Sequence, residues 1–236
     1  MIHPNSERNL VIGILALQGA FVEHQTAFQN LLLPKKIEIA LVRTPEELAG
    51  CDALVIPGGE STTIALLARL SGLLEPLRNF VKAKPVWGTC AGAILLAKAV
   101  QGAKKGGQEL LGGMSITIAR NGWGSQVESF EADLEVTGLQ ESQCPFTGIF
   151  IRAPVVLTLE PSESDPPIHV ISRLSPFLLP DTLTSSNSTN EPKTYVALRQ
   201  GLHFLTTFHP ELTHDNRFHE YFVRECVLPS ISTQWV

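Results

Sequence analysis

The chain has 236 residues, a length typical of one α/β domain with a sizeable core. Its 18 basic and 23 acidic residues give a net charge of -5, and the two signs are interspersed. This pattern predicts no basic face for nucleic acid and no polybasic membrane patch. Residues 1–9 form a polar tail that makes a poor signal peptide, and the apolar run after it is too short to span a bilayer. We therefore expect a cytoplasmic protein.

The first half of the chain alternates apolar strands with helix-like segments. The predicted strands are nearly continuous apolar runs, as buried parallel strands are; they cover residues 10–17, 37–42, 53–56 and 85–88. The predicted helices cover residues 20–32, a short stretch from 45, then 61–70, a segment ending near 82, and 91–100. Ser61 or Thr62 is expected to cap the third of these helices. The alternation predicts a doubly wound, mostly parallel open sheet with flanking helices.

The alternation of strands and helices ends at about Gly112, after which short strand-like segments follow one another with few helices between. These predicted strands cover residues 114–119, 126–130, 149–151, 155–159, 168–172, 196–199 and 202–208. They predict a small antiparallel extension of the sheet, with a hairpin at Gln200-Gly201 and a closing helix over 211–227. Residues 175–193, rich in Pro, Ser, Thr and Asn, are expected to form a surface loop insertion. We see no domain boundary and expect a single domain over residues 1–236.

A cysteine follows the fourth predicted strand, in the sequence Gly-Thr-Cys-Ala-Gly at residues 88–92. This spacing is that of the nucleophile elbow, in which the reactive residue projects from a tight turn between a strand and a helix. The positive end of the following helix favours the thiolate of Cys90. It also brings the N–H of Ala91 to where an oxyanion would form. Cys90 is therefore the candidate nucleophile.

A thiolate nucleophile needs an imidazole, and the imidazole needs a group that orients it. Of the seven histidines, His209 follows an apolar strand and precedes Pro210 and Glu211. Residues two apart in an extended chain point the same way, so Glu211 can accept the far ring N–H of His209. His24 and His219 lie in helix-like segments, where a solvated or structural role is expected. The sequence therefore predicts a Cys90–His209–Glu211 triad.

A third motif, Pro-Gly-Gly-Glu-Ser at residues 57–61, ends the third predicted strand. Doubly wound folds bind ligands at this edge of the sheet, where the cysteine elbow also lies. The two glycines allow backbone geometry that other residues cannot adopt, so Gly59 is a candidate for the second oxyanion N–H. Taken alone, such a glycine pair is simply a turn.

Together these motifs resemble the class I glutamine amidotransferases and, within them, the glutaminase subunits of pyridoxal 5′-phosphate synthase. The resemblance extends from Leu10 to about Val227. Its motifs are LQGA with EH (17–20 and 23–24), PGGESTT (57–63), GTCAG (88–92), SFEADL (129–134), FIRAP (150–154) and FHPEL (208–212). Two features depart from the family pattern: Ser125 replaces a basic residue, and the loop at residues 175–193 is longer.

The resemblance implies the same triad and a site for free glutamine. The glutamine-binding residues that it implies are Gly59, Glu60, Ser61, Arg120, Ile151 and Arg152. Because free glutamine is a zwitterion, its head group needs both a cation and an acceptor. Arg120 or Arg152 could meet the carboxylate, and Glu60 the ammonium group. Gln18 and Gly19 resemble the family's segment near the oxyanion hole and the synthase contact, which partner binding is expected to reorganise.

The resemblance implies a glutaminase that hydrolyses free L-glutamine to glutamate and ammonia through a cysteine thioester. The ammonia would pass to the synthase subunit that makes pyridoxal 5′-phosphate, and the chain itself would need no metal and no cofactor. Three alternatives stay open: a glutaminase for another synthase such as the imidazole-glycerol-phosphate cyclase, a glutamine-binding regulator without turnover, and a peptidase of the same fold. The intact triad argues against a regulator. Glu60, together with the two arginines, favours a small zwitterion over a peptide.

Overall fold

The described part of the chain, residues 9–33, 36–103, 107–120, 122–123, 129–141, 143–179 and 191–232 of a computed structural model, forms two β-sheets flanked by helices. The strands are β1 Leu10–Leu15, β2 Ile37–Val42, β3 Ala53–Ile56, β4 Val86–Thr89, β5 Ala97–Gln101, β6 Met114–Ala119, β7 Ser129–Val136, β8 Phe146–Ile151, β9 Val155–Leu159, β10 Ile168–Arg173, β11 Tyr195–Gln200 and β12 His203–Thr206. The α-helices are α1 Phe21–Gln29, α2 Pro45–Ala49, α3 Ser61–Leu70, α4 Leu74–Ala83, α5 Ala91–Leu96, α6 Arg217–Phe222 and α7 Leu228–Ser232. Single turns of 3₁₀-helix lie at Pro176–Leu178, Pro192–Thr194 and Pro210–Leu212, and a π-helical turn lies at Val223–Val227.

Within the described ranges, the larger sheet has nine strands in the order β2-β1-β3-β4-β12-β11-β10-β7-β8. The pairs from β2 to β12 are parallel, and those from β12 to β8 are antiparallel. The predicted α/β fold, with a parallel central sheet and an antiparallel extension, is confirmed. The predicted hairpin is also present, because β11 and β12 pair antiparallel around a turn at Gly201.

A smaller sheet joins β5, β6 and β9, with β5 parallel and β9 antiparallel to the central strand β6. This sheet corrects the predicted helix over residues 91–100, since α5 ends at Leu96 and Ala97 begins β5. The residues of β5 are compatible with a helix, but their backbone pairs with Met114–Ala119 instead. Pairing with a distant strand overrides the local helix propensity there.

Among the other boundaries that differ from the sequence prediction, two have a clear local cause. The N-cap of α3 is Glu60, whose side chain accepts from the N–H of Thr63, so Ser61 is the first helical residue and not the cap. The closing helix begins only at Arg217, because the carboxylate of Asp215 accepts from the backbone N–H and the guanidinium of Arg217 in the preceding turn. The expected tail at residues 1–9 and the expected loop at 175–193 fall largely outside the described residues.

The larger sheet carries an apolar layer on each face. One layer holds large aromatic side chains from the sheet and from α6, including Trp87, Phe204 and Phe222. The other layer joins strand residues such as Leu54 and Leu205 to α3, α4 and α5. Both faces are covered, and open sheets of this kind bind ligands at the edge where the parallel strands end. None of the helices in the described ranges is long and apolar enough to cross a membrane.

Candidate active site

Three neighbouring parallel strands, β3, β4 and β12, end at the same edge of the sheet. Each leads directly into one predicted motif: β3 into residues 57–61, β4 into Cys90, and β12 into the segment that holds His209. The strand order therefore brings together residues that are far apart in sequence, at the position where open α/β sheets bind ligands.

The turn at Cys90 requires the glycines on either side of it. Cys90 has a φ of 46°, in the left-handed region, and its N–H donates to the carbonyl of Thr206 at 2.9 Å. A Cβ atom at Gly92 would lie 2.0 Å from the carbonyl oxygen of Ile56, and one at Gly88 would lie 2.5 Å from that of Gly92. The backbone of β4 and the first turn of α5 can approach this closely only without side chains. The result is the tight turn from which a nucleophile projects.

The structure brings the side chains of Cys90, His209 and Glu211 together. His209 Nδ1 lies 2.8 Å from Glu211 Oε1, and the ring also interacts with the Cys90 side chain. All three residues are buried, with 6%, 7% and 5% of their surface exposed in that order. The backbone N–H of His209 donates to the carbonyl of Ile149 at 2.8 Å, which fixes the base to β8.

The absence of a side chain at Gly58 leaves room for the ring of His209 next to the nucleophile. A Cβ atom at Gly58 would lie 2.3 Å from His209 Cε1 and 3.4 Å from Cys90 Cβ. The imidazole therefore occupies the space that any larger residue at this position would need. The sequence predicts a role only for Gly59, although the Gly-Gly pair itself is the signal that also points to Gly58.

The charges around His209 favour its protonated form. Burial alone would lower the pKa of His209, but the hydrogen bonds and charges of Cys90 and Glu211 outweigh burial and raise it to about 10. At neutral pH the ring is therefore an imidazolium when it faces a thiolate and a carboxylate. An imidazolium next to the sulfur can both stabilise a thiolate and deliver a proton to a leaving group.

The predicted oxyanion groups lie beside this triad. Ala91 is the first residue of α5, so its N–H has no acceptor within the helix. The loop with Gly58 and Gly59 is held by the segment that follows β1. Gln18 Oε1 accepts from the Glu60 N–H at 2.9 Å, and the carbonyl of Gly58 accepts from the Ala20 N–H at 3.0 Å.

Gly19 is required for the close approach of this segment to the glycine loop. Its φ is 100°, and a Cβ atom there would lie 1.9 Å from the carbonyl oxygen of Gly58. Gln18 also touches Gly59, since a Cβ atom at Gly59 would lie 2.6 Å from Gln18 Oε1. The segment predicted to contact a partner thus packs directly on the predicted oxyanion loop.

The end of β8 forms another wall of the site. Cys90 Sγ lies 3.9 Å from the carbonyl oxygen of Ile151. The next residue, Arg152, is exposed and has a φ of 42°. A residue other than glycine in this region of backbone space stores strain, and such strain is common at ligand sites. The predicted glutamine contacts Ile151 and Arg152 therefore border the nucleophile.

Glu60, Ser61 and Arg120 form a polar network at the start of α3. Arg120 donates from its two terminal nitrogens to Glu60 Oε1 at 2.8 Å and to Gln108 Oε1 at 2.9 Å. Ser61 Oγ also donates to Gln108 Oε1, at 3.0 Å. Gln108 joins this set without having been predicted, because its link to the site depends on residues 107–109 lying beside α3.

This network stabilises the ionised form of the Glu60 carboxylate. Burial would raise the pKa of Glu60, but hydrogen bonds from Thr62, Thr63 and Arg120 outweigh burial and hold it well below its ordinary value. Glu60 therefore stays anionic at neutral pH and lies beside a cation. A zwitterionic head group needs both charges at one place.

His24, for which the sequence predicts a solvated or structural role, lies next to the triad. This histidine is fully buried, and its Nε2 lies 3.5 Å from Glu211 Oε2. Its signal in the sequence was its place in the Glu-His pair of the family motif. Residues 124–126, where the sequence departs from the family pattern, lie outside the described residues.

The fold and this site together are those of a class I glutamine amidotransferase, in which a cysteine on an elbow works with a histidine and a glutamate at the edge of a parallel sheet. The model of the SNO glutamine amidotransferase family matches residues 14–228. A solved structure described as a glutamine amidotransferase superposes with a TM-score of 0.71 at 42% identity and covers 90% of this chain and 97% of its own. The chain therefore belongs to the SNO glutamine amidotransferase family.

Two similar proteins indicate which kind of glutamine amidotransferase this chain resembles. The probable pyridoxal 5′-phosphate synthase subunit PDX2 of Arabidopsis thaliana is 42% identical over 229 residues, which cover 91% of this chain and 85% of its own. The pyridoxal 5′-phosphate synthase subunit PdxT of Acidothermus cellulolyticus is 45% identical over 213 residues, covering 90% and 91%. These matches confirm the predicted resemblance and, with it, the glutaminase function of the chain.

Proposed function

We propose that Cys90, His209 and Glu211 are the catalytic triad of this glutaminase and that its ammonia serves the synthase subunit of pyridoxal 5′-phosphate synthase. The observation that carries the proposal is the buried contact among these three side chains on adjacent strand ends. Both relatives are described as subunits of pyridoxal 5′-phosphate synthase, which supports the choice of synthase.

The proposed reaction uses each member of the triad in turn. The Cys90 thiolate attacks the amide carbon of glutamine, and the resulting oxyanion is held by the N–H groups of Ala91 and Gly59. One such donor typically contributes about 2.7–4 kcal/mol to lowering the barrier. The His209 imidazolium gives its proton to the departing nitrogen, which leaves as ammonia, and a γ-glutamyl thioester remains.

In the second half of the reaction, His209 acts as a base instead of an acid. The neutral imidazole of His209 takes a proton from water, and the water oxygen attacks the thioester carbon. Collapse of this second tetrahedral intermediate breaks the carbon–sulfur bond, releases glutamate and restores the thiolate beside the imidazolium. Glu211 holds the ring in one orientation throughout, and its negative charge favours the imidazolium.

The proposal assigns the head group of glutamine to the polar network at the start of α3 and to the end of β8. The residues proposed to bind glutamine are Gly59, Glu60, Ser61, Arg120, Ile151 and Arg152. A zwitterion complements a site in which an arginine and a carboxylate already lie side by side. Gln18 and Gly19 are proposed as the partner contact, because they pack on the glycine loop and could transmit synthase binding to the oxyanion site. A cytoplasmic location, a single domain and operation without metal or cofactor stay part of the proposal.

The test is glutamate release from glutamine by the chain mixed with its synthase subunit. We expect Cys90→Ala to lower the rate by about 10⁴-fold or more, because losing the nucleophile leaves only binding and oxyanion groups. Cys144→Ala is the matched control, since Cys144 is exposed and lies away from the triad. Wild-type glutamate release by a folded Cys90→Ala protein would refute the triad. Activation by the imidazole-glycerol-phosphate cyclase in place of the pyridoxal 5′-phosphate synthase subunit would refute the assigned partner.

A further inference from the structure

Two buried histidines stand behind the proposed triad, on the side of Glu211 away from His209. His24 lies on α1 and His219 on α6, and both have 0% of their surface exposed. His24 Nδ1 lies 2.9 Å from His219 Nε2. On its other side, His24 Nε2 lies 3.2 Å from Thr89 Oγ1 and 3.5 Å from Glu211 Oε2. The rings thus form a continuous polar row ending at the proposed catalytic carboxylate.

The surroundings of this row are apolar. The ring of Trp87 makes edge contacts with His24 at 5.3 Å and with His219 at 4.9 Å between centroids, and Phe28 covers His219 at 4.9 Å. Burial, followed by the rings of His219 and His209, holds the pKa of His24 well below its ordinary value. Burial also lowers the pKa of His219 to about 3, although Asp215 acts in the opposite direction. Both rings are therefore neutral at neutral pH, and each carries one N–H.

The positions of two unpartnered atoms decide which nitrogens carry those hydrogens. Glu211 Oε2 and His219 Nδ1 are both buried and have no hydrogen-bond partner among the described residues. A buried carboxylate oxygen is stabilised by a nearby donor, so we place the N–H of His24 on Nε2, where it faces both Glu211 Oε2 and Thr89 Oγ1. His24 Nδ1 then carries no hydrogen, and its lone pair accepts a hydrogen bond from His219 Nε2–H. This leaves His219 Nδ1 as an unprotonated nitrogen, which needs no acceptor.

The opposite arrangement is unfavourable chiefly at the His219 end of the row. An N–H on His24 Nδ1 would turn the lone pair of Nε2 towards the carboxylate and towards the hydroxyl of Thr89, which can donate to it. It would also require the N–H of His219 to lie on Nδ1, where no acceptor is found among the described residues. A buried donor without an acceptor and a lone pair facing an anion are both costly.

We propose that His24 is a positioning residue for the triad: it aims an N–H at the second oxygen of Glu211, and His219 fixes the ring form that makes this possible. The inference rests on the proposed catalytic role of Glu211. Oε1 of the carboxylate then faces His209, and Oε2 faces His24, whose Nε2–H also points at Thr89 Oγ1, 3.2 Å away. The present separation of 3.5 Å is longer than the usual 2.7–3.2 Å of an N–H···O bond. Hydrogen bonds of catalytic groups are often long in unliganded proteins and shorten when substrate binds.

The first experiment compares two substitutions in the complex with the synthase subunit. His24→Leu keeps an apolar side chain but has no donor, whereas His24→Gln keeps an N–H near the position of Nε2. We expect the leucine variant to lower kcat by about 10- to 100-fold with little change in the KM for glutamine, as loss of a supporting hydrogen bond typically does. The glutamine variant should recover most of that loss. Equal kcat values for the two variants would overturn the proposal.

A double-variant cycle separates positioning from a general effect on folding. In a Glu211→Ala background, His24→Leu should change kcat by less than about twofold, because the group it positions is absent. His203→Leu is the matched control: its histidine is also mostly shielded from solvent but lies at the opposite end of β12, and its loss should leave kcat unchanged. If Glu211→Ala itself left kcat unchanged, the proposed triad would fail. If Glu211→Ala lowered kcat and His24→Leu did not, only the role of His24 would fail.

A measurement on the unsubstituted protein covers the case in which the leucine variant does not fold. Nitrogen-15 spectra of the histidine-labelled chain should show His24 and His219 as neutral rings that carry their hydrogens on Nε2. A hydrogen on Nδ1 of His24 would place the lone pair of Nε2 against Glu211 and would overturn the proposal.

Discussion

The two sides of the candidate site are built differently. On the triad side, the three residues are buried, and the backbone N–H groups of two of them bond to other strands: Cys90 to Thr206 at the end of β12, and His209 to Ile149 of β8. On the head-group side, Glu60 and Arg120 are partly exposed and held mainly by each other and by Gln108. The reacting groups are therefore fixed before substrate arrives, whereas the recognition groups must exchange partners to receive it.

On the triad side, we expect the largest loss of activity from a substitution that displaces the ring of His209. A Cβ atom at Gly58 would lie 2.3 Å from His209 Cε1 and 2.7 Å from Nδ1, so Gly58→Ala must displace the ring. We expect kcat for glutamate release to fall by about 10²-fold, since a shift of about 1 Å in a catalytic group can cost that much. Gly50→Ala is the control, because its Cβ atom would meet its nearest neighbour at an ordinary 3.6 Å. A fully active Gly58→Ala protein would show that the ring position is not critical.

Substitutions among the residues proposed to bind the head group of glutamine should change KM and leave kcat nearly unchanged. Arg120→Met removes the cation that pairs with Glu60. We expect the KM for glutamine to rise by roughly 10- to 100-fold with kcat within about threefold, because a charge-assisted hydrogen bond contributes about 1.5–3 kcal/mol. Arg224→Met is the control, since Arg224 pairs with Glu220 on α6. A fall in kcat without a change in KM would assign Arg120 to the chemistry and remove the distinction between the two sides.

The smallest expected effect is on stability and depends on pH. The pKa of His209 is raised to about 10, so its protonated form adds stability that is complete below about 6.5 and is lost as pH rises through about 10. Glu211→Gln removes an anion that holds this proton. The difference in melting temperature between wild type and Glu211→Gln should therefore be a few degrees near pH 6 and should shrink towards pH 10. A difference that grows with pH would contradict the charge arrangement.

The sequence was most informative where the signal is local. The strands at residues 37–42, 53–56, 114–119 and 155–159 have the predicted bounds, since their apolar runs end at clear turn residues. The predicted association of His209 with Glu211 also needed only a strand end and a spacing of two residues. Cys90 could be singled out because glycines at fixed positions around a cysteine indicate a particular turn.

The sequence was least informative where contacts join distant segments. The strand β5 depends on β6, and Gln108 reaches the site only because residues 107–109 lie beside α3. For His24 the sequence predicts only a solvated or structural role, because nothing local indicates that α1 packs beside α6 and the turn at Pro210–Leu212. Such contacts are set by the tertiary fold, which local propensity does not report.

The parallel pairing of β4 with β12 has a consequence for how this chain can vary. Thr89 lies opposite Thr206, so the sulfur and the imidazole follow their strands by one and by three residues. Losing a single residue from either strand would shift its end by about 3.3 Å and turn the following side chains to the other face. We therefore expect the spacing inside these two short strands to be as constrained as the reactive residues themselves, and insertions to be confined to the surface loops between other elements.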